Sequence, residues 1–535
     1  MTRFTTWLAI AVALSLSGCK VGPNYKRPPL DVPGDYRGVA PEPNAPQATA
    51  AGAPSAYPST AAQTSQTAPE ASAATPAQPS QAPPAGTSAT DLRSGNPQTP
   101  SSADLTHPQV TGQPIPPGQT FGDTQWASVF QDEVLQGLIK EALASNYDLR
   151  IAATRVLQAQ ANLGIVRANQ FPTVNGTGSV TYGKDEVTYS STDAQRYGNL
   201  GLSLNYIVDF WGQYRRATEA ARAQLLATEY GKSVVQISLI ASVATDYYLL
   251  GQYDDQLDYS KKTVAADEEI LKLNDIKFKG GDAALTDVYQ AQVILQQAEA
   301  GVINYQQLVD QTENNLSILL GRNPGPVKRG LNLVDQPHEP QIPAGLPSDL
   351  LRRRPDVRAA EEALVAANAN VGVAKAAFFP QFSITGALGT QSLTLSNFLS
   401  GPSLFWAVGG GVVQPIYEGG RIRSNYRLAW AQRDQAELQY KQTVQRALGE
   451  VSNSLIGYQQ SREYRMKLQQ QTKTYADLVR LSNIRYQGGY TAFLEVQYNE
   501  QQYFQAALLL SAAWYQEMQY YASLYQALGG GWQVQ

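Results

Sequence analysis

The chain has 535 residues, 43% of them hydrophobic and 16% charged, enough to bury a sizeable core, and its length alone suggests two to four domains. A formal net charge of -4 and a sequence pI near 5.5 leave no basic footprint, which excludes a nucleic-acid partner. Two histidines and one cysteine exclude a Cys/His zinc site, and His107 and His338 both stand in Pro-rich, linker-like sequence, so no metal and no cofactor is expected.

At the N-terminus Arg3 precedes an apolar run from Trp7 to Leu16, the length of a signal-peptide core and too short to span a bilayer, so residues 1–18 read as a signal peptide. The run ends in Leu16-Ser17-Gly18-Cys19, which resembles the bacterial lipobox. That resemblance implies that Cys19, the one cysteine, carries N-acyl and S-diacylglycerol lipid and becomes the first mature residue. Each buried methylene contributes ~0.8 kcal/mol, so two or three chains anchor stably. Lys20 in place of an aspartate implies, by likeness to bacterial lipoproteins, the outer membrane and its lipid. No other segment reaches the roughly 20 apolar residues of a transmembrane helix.

From about Ala40 to Thr120 the sequence is Ala, Pro, Ser, Thr, Gln and Gly with almost no large apolar side chain. Such a stretch cannot bury enough surface to offset its ordering entropy, so residues 19–119 read as a lipid-anchored, disordered tether.

The remainder is a duplication with an offset of 208 residues: Phe171-Pro172 matches Phe379-Pro380, Gly164 matches Gly372, and Gly212 matches Gly420. Gly280 and Gly281 match Gly488 and Gly489 at the same offset. The first repeat is 120–328 and the second 329–535, each too long to be one element of a solenoid.

Within each repeat the hydrophobic period switches from helical to alternating and back. Strands are predicted at about 173–183 and 197–210, then at about 381–391 and 403–416. In the second, Leu200, Leu202, Leu204, Tyr206 and Val208 alternate with Asn199, Gly201, Ser203, Asn205 and Asp209. Each is close to the ~9–11 residues that cross the hydrocarbon when tilted, with aromatics such as Tyr182, Tyr197, Phe210, Trp211 and Trp406 toward the ends as in an interfacial girdle. Four strands cannot close on themselves, and an open edge in lipid leaves backbone groups unpaired, so an oligomer is required. The physics alone does not choose two copies over three.

Helices of unusual length follow, from about Arg215 to Lys279 and from about Arg423 to Gln487, each followed by a shorter helix after a Gly-Gly turn. Val243, Leu250, Leu257, Val264, Leu271 and Phe278 recur every seven residues, as a coiled-coil seam requires.

These features resemble the TolC-like outer-membrane efflux channels, in their NodT-type lipoprotein branch, over about Phe121 to Leu528. The likeness rests on Trp126 with Phe130, on Leu138-Ile139, on Asn146-Tyr147-Asp148-Leu149-Arg150, on Asp209-Phe210-Trp211-Gly212 and on the run Leu351-Arg352-Arg353-Arg354-Pro355-Asp356-Val357-Arg358-Ala359-Ala360-Glu361, with Cys19 to Tyr25 as the branch's usual mature start. It implies a mainly α fold with a transmembrane β part. In that architecture a homotrimeric 12-stranded β-barrel, four strands per chain, continues into a long α-helical barrel with a mixed equatorial region.

The same resemblance implies the outer-membrane channel of a tripartite efflux pump, passively exporting drugs or other small molecules. Its partners are a periplasmic adaptor (membrane fusion) protein and an inner-membrane pump of the resistance-nodulation-division type. Adaptor contact is expected at the tips bearing Gly280, Gly281, Gly488 and Gly489. The family's gate link falls on Tyr486 and Asp287, a second link lacks its arginine at Thr491, and the inward acidic pair falls on Glu495 and Tyr498. Arg352 to Arg354 read as a helix start, with Pro355 at the first helical position and Asp356 at the positive end.

Two other readings stand beside efflux: a type I protein-secretion exit duct, which the same fold serves, and a non-conducting structural envelope coiled coil. No carboxylate pair, triad or phosphate loop supports an enzyme.

Overall fold

The computed structural model describes residues 20–30, 32–33, 36, 121, 124–183, 195–338, 347–392 and 401–531. The signal segment, Cys19, the low-complexity stretch, His107 and the side chain of Tyr197 lie outside the described residues.

Helix α1 (Trp126–Val129) leads into α2 (Glu133–Ser145), which starts where the Asp132 carboxylate accepts the Val134 N–H at 2.8 Å. Helix α3 (Tyr147–Ala168) is capped by Asn146, whose carboxamide oxygen accepts from Leu149 N at 3.0 Å. Strands β1 (Thr173–Gly183) and β2 (Gln195–Val208) precede the long helix α4 (Gln213–Gly280) and its return α5 (Leu285–Leu319). After the short helix α6 (Pro347–Arg353) the order repeats as α7 (Pro355–Ala376), β3 (Gln381–Ser392), β4 (Leu404–Val413), α8 (Arg421–Gln487) and α9 (Phe493–Ala527). α3 and α7, β1 and β3, α4 and α8, and α5 and α9 each begin 208 residues apart.

The four strands form one antiparallel sheet in the order β1-β2-β3-β4, with β1 and β4 at its edges. Register rather than composition separates its faces. Val174, Leu204, Gly386 and Val408 stand in one row, as do Gly176, Leu202, Leu388 and Trp406. The intervening rows hold Thr173, Asn205, Thr385 and Gly409, then Asn175, Ser203, Ala387 and Ala407. Val174, Leu202, Leu388, Trp406 and Val408 are exposed, giving the sheet a continuous uncovered apolar face.

β2 stops at Val208, two residues short of the sequence expectation, because the Asp209 carboxylate accepts the Arg215 N–H at 2.9 Å and turns the chain into α4. β4 stops at Val413 rather than 416, since Pro415 has no N–H to give the ladder.

At 1.5 Å per residue the 68 residues of α4 extend about 100 Å. Its sequence-read seam is only partly the packed one. Val243, Leu250 and Leu257 are buried, but Phe278 is 40% exposed, and toward the tip the buried line moves to Ser260, Asp267 and Asn274. In α8 the equivalent line holds as far as Val479: Val451, Tyr458, Arg465, Thr472 and Val479 are buried, and Tyr486 is half-buried. α4 also contains an 18-residue window of mean hydropathy 1.4, a stretch not expected from sequence outside the signal segment, and 50% of it is buried within the chain. Leu239, Ile240, Val243 and Tyr248 of α4 serve the main hydrophobic core, so its apolarity has a packing role.

In that core Phe121 and Phe130 meet Tyr521 and Tyr525 edge to face, with ring centroids 5.3–6.4 Å apart. His338 is not in a linker as expected: it is buried there, its Nδ1 is 2.9 Å from Gln336 O and its Nε2 is 3.2 Å from Glu517 Oε1. The run Arg352 to Arg354 is not one helix start as expected: Arg352 and Arg353 end α6, and Pro355 keeps Arg354 extended just before α7, where it pairs with Asp356 at 2.7 Å and donates to Ala527 O at 2.8 Å.

Candidate functional site

The two long hairpins end in the same backbone device. At the first tip Gly281 takes φ 85° and its N–H donates to Phe278 O at 3.0 Å, while Asp282 N donates to Lys277 O at 2.8 Å. At the second Gly489 takes φ 74°, with Gly489 N to Tyr486 O at 3.0 Å and Tyr490 N to Arg485 O at 2.9 Å. These are Schellman closures, which need a left-handed residue that glycine supplies without a Cβ penalty. Gly280 and Gly488 precede them as the last helical turn ends.

Around the tips the duplication puts like residues at like places: Lys277 corresponds to Arg485, Phe278 to Tyr486 and Asp287 to Glu495. The second hairpin closes on itself, with Arg485 Nη1 donating to Glu495 Oε1 at 3.0 Å and Thr491 Oγ1 donating to Glu495 Oε2. The first does not. Asp287 turns back on its own helix start and accepts the Ala284 N–H at 3.2 Å, while Lys277 crosses to the other hairpin. Lys277 Nζ donates to the Tyr486 hydroxyl and lies 4.4 Å from that ring's centroid. Tyr486 is backed by Phe493 at 5.4 Å.

Within one chain, then, Tyr486 meets Lys277 and not Asp287. Glu495 is half-exposed and Tyr498 is exposed, with Tyr490 and Leu494 also uncovered at the same tip. Lys277 was missed from sequence; its signal was the basic residue at the same place in the second repeat. Among the described residues no three His, Cys, Asp or Glu side chains cluster as a metal would need.

At the opposite end the sheet is rooted in aromatics. Trp211 stacks on Phe379 at 4.6 Å and its indole N–H donates to Pro380 O at 2.8 Å, so the Phe-Pro motif of the second repeat seats the Trp of the first. The segment 20–30 runs as a strap from this point. Val21 N donates to Trp211 O at 3.1 Å, and Lys20 pairs with Glu219 at 2.9 Å. Farther along, Asn368 Nδ2 donates to Pro23 O at 3.0 Å and Arg27 Nε to Glu361 Oε1 at 2.7 Å. Gly22, at φ 107°, passes over Gly372 so closely that a Cβ on Gly22 would stand 2.5 Å from Gly372 Cα. The strap ties α4 of the first repeat to α7 of the second.

The family model for outer membrane efflux proteins matches residues 138–322 and 346–530, two stretches that begin and end 208 residues apart. The chain belongs to the outer membrane efflux protein family. The probable efflux pump outer membrane protein TtgC of Pseudomonas putida is 34% identical over 439 residues, covering 78% of this chain and 90% of the relative. The cation efflux system protein CusC of Escherichia coli is 32% identical over 414 residues, covering 77% and 89%. Among solved structures the CmeC outer membrane channel of Campylobacter jejuni superposes with a TM-score of 0.73 at 26% identity, covering 79% of this chain and 95% of that one. A structure of CusC gives 0.71 at 29% identity, covering 79% and 99%. Family membership makes the chain an outer-membrane channel component of an efflux system. Its fold, mostly helical with a small sheet, is that of the family's TolC-like channels.

Proposed function

We propose that three copies of the chain close one 12-stranded barrel, continued by a helical tunnel, through which small molecules pass passively from an inner-membrane pump and its periplasmic adaptor to the outside. One observation carries this reading: the sheet has a largely apolar exposed face and two unpaired edges, β1 and β4. In hydrocarbon each unsatisfied backbone group costs several kcal/mol, and edge-to-edge pairing between copies removes that cost.

The gate lies at the helix tips, with Lys277 and Tyr486 joining the hairpins of one copy and Asp287, Glu495 and Tyr498 facing neighbours. Adaptor subunits dock on the turns at Gly280, Gly281, Gly488 and Gly489, and opening needs adaptor contacts that favour the open state over the closed one. Cys19 precedes Lys20 and Val21, which lie against Glu219 and Trp211, and this supports a lipid anchor at the membrane end of the sheet. The relatives are named for antibiotics, toluene, solvents and cations, a range of cargo that favours small-molecule export over a protein-secretion duct.

Planar-bilayer recording of the purified full chain tests the reading. Discrete single-channel conductance is expected; its absence at trimer-saturating concentrations would leave a structural coiled coil.

A further inference from the structure

The two faces of the sheet differ in how closely neighbouring strands approach above them. On the face with the apolar rows, a Cβ placed on Gly176, Gly178, Gly386 or Gly410 would find its nearest atom at 3.8, 3.6, 3.5 and 3.8 Å, ordinary contact. On the other face the same construction at Gly201 and Gly389 meets the facing strand's backbone at 3.1 and 2.6 Å, while at Gly409 and Gly411 it meets the Thr385 and Ser383 hydroxyls at 3.1 and 3.0 Å. Side chains converge on the concave side of a curved sheet and diverge on the convex side, so the crowded face is the concave one. Gly201 and Gly389, directly opposite each other, let β2 and β3 close up there, and the Phe405 ring lies against Gly389.

That concave face has no formal charge. The four strands contain one charged residue, Arg196, and its register position opposite Tyr182 belongs to the other face. What remains on the concave side is mostly hydroxyl, carboxamide, methyl or glycine, as in the row of Asn175, Ser203, Ala387 and Ala407. The strands also contain no His, Cys or Met to bind a soft metal ion.

From this we infer that the membrane section of the pore is electrically indifferent: it passes neutral solutes and ions of either sign without sorting them by charge, and it holds no soft-metal ligand. This inference rests on the channel reading above. A charged ring in a narrow pore sorts ions by sign because the low-dielectric wall strengthens its field; a lining of hydroxyls and amides offers donors and acceptors to any solute without that bias.

The chain has one native cysteine, so a single introduced thiol reports locally. Ser203→Cys and Asn175→Cys probe the concave face and Leu202→Cys the apolar one, in full-length protein in liposomes. Each is treated with a cationic trimethylammonium and an anionic sulfonate methanethiosulfonate, and modification is followed by mass spectrometry. Both concave-face variants should react, with a cation-to-anion rate ratio within threefold of that of a small free thiol. A ratio displaced by more than threefold at both positions overturns the inference while leaving the pore reading intact. Reaction at Leu202→Cys with none at the other two would instead overturn the pore reading itself.

Discussion

Arg465 and Glu517 form an ion pair in which neither side chain reaches solvent, Arg465 Nε donating to Glu517 Oε2. The guanidinium also lies 3.9 Å over the Trp514 ring. At the equivalent places in the first repeat, 208 residues earlier, stand Leu257 and Val309, both in the apolar core. One ancestral contact between a long helix and its return is thus apolar in one copy and ionic in the other. Burial opposes the charge on Glu517, yet His338 and Arg465 together hold its pKa below the ordinary carboxylate range.

Removing one partner leaves an uncompensated buried charge, so Arg465→Leu or Glu517→Val alone should cost about 3–5 kcal/mol. The double substitution recreates the first repeat's pair and should recover most of that loss. Chemical denaturation of all three variants measures it; additive losses in the double variant would show that the pair is not a unit.

Asp267 supplies a pH dependence of definite sign. Burial, aided by the nearby Glu500 carboxylate, pushes its pKa up to about 7, and one of its oxygens has no hydrogen-bond partner. A carboxyl whose folded pKa exceeds its unfolded one binds more protons when folded, so stability falls as pH rises from about 4 to about 7 and is level above. Asp267→Asn should leave the melting temperature at pH 4.5 nearly unchanged and raise stability at pH 8 by on the order of 1 kcal/mol. An equal shift at both pH values would contradict this account.

The crossing of Lys277 to Tyr486 predicts a gate phenotype. Lys277→Met and Tyr486→Phe should each raise closed-state conductance in bilayers, and the double variant should be no leakier than the worse single one, since both remove the same contact. Asp287→Ala, which removes the bond to its own helix start, should add to either through neighbouring copies. Conductance unaltered in Lys277→Met and Tyr486→Phe would place the gate elsewhere.

Much of the fold was readable from sequence because its signals are local and doubled. Alternation at Leu200, Leu202 and Leu204 and the paired glycines at 280–281 and 488–489 mark strands and tips directly. What was not readable depends on contacts between distant segments. His338 looked like linker because the residues around it are Pro-rich, and only the fold brings Glu517 beneath it. The α4 seam was misjudged near the tip because a heptad of apolar residues predicts a seam only if the partner helix follows it. Here the packed line runs instead through Asp267, with Glu500 of α9 near it. The strap escaped notice because extended backbone held by Asn368 and Trp211 has no period of its own.

The strap bears on the anchor. Cys19→Ala should abolish incorporation of radiolabelled palmitate, and Gly372→Leu, which fills the groove under Gly22, should loosen residues 20–30 and speed their proteolysis. Persistent labelling in Cys19→Ala would refute the lipid assignment.

The mass of the purified full chain in mild detergent, read by native mass spectrometry, tests the closure of the sheet most directly. The account predicts three protein copies per particle; a stable single copy, with the β1 and β4 edges left unpaired, would contradict it.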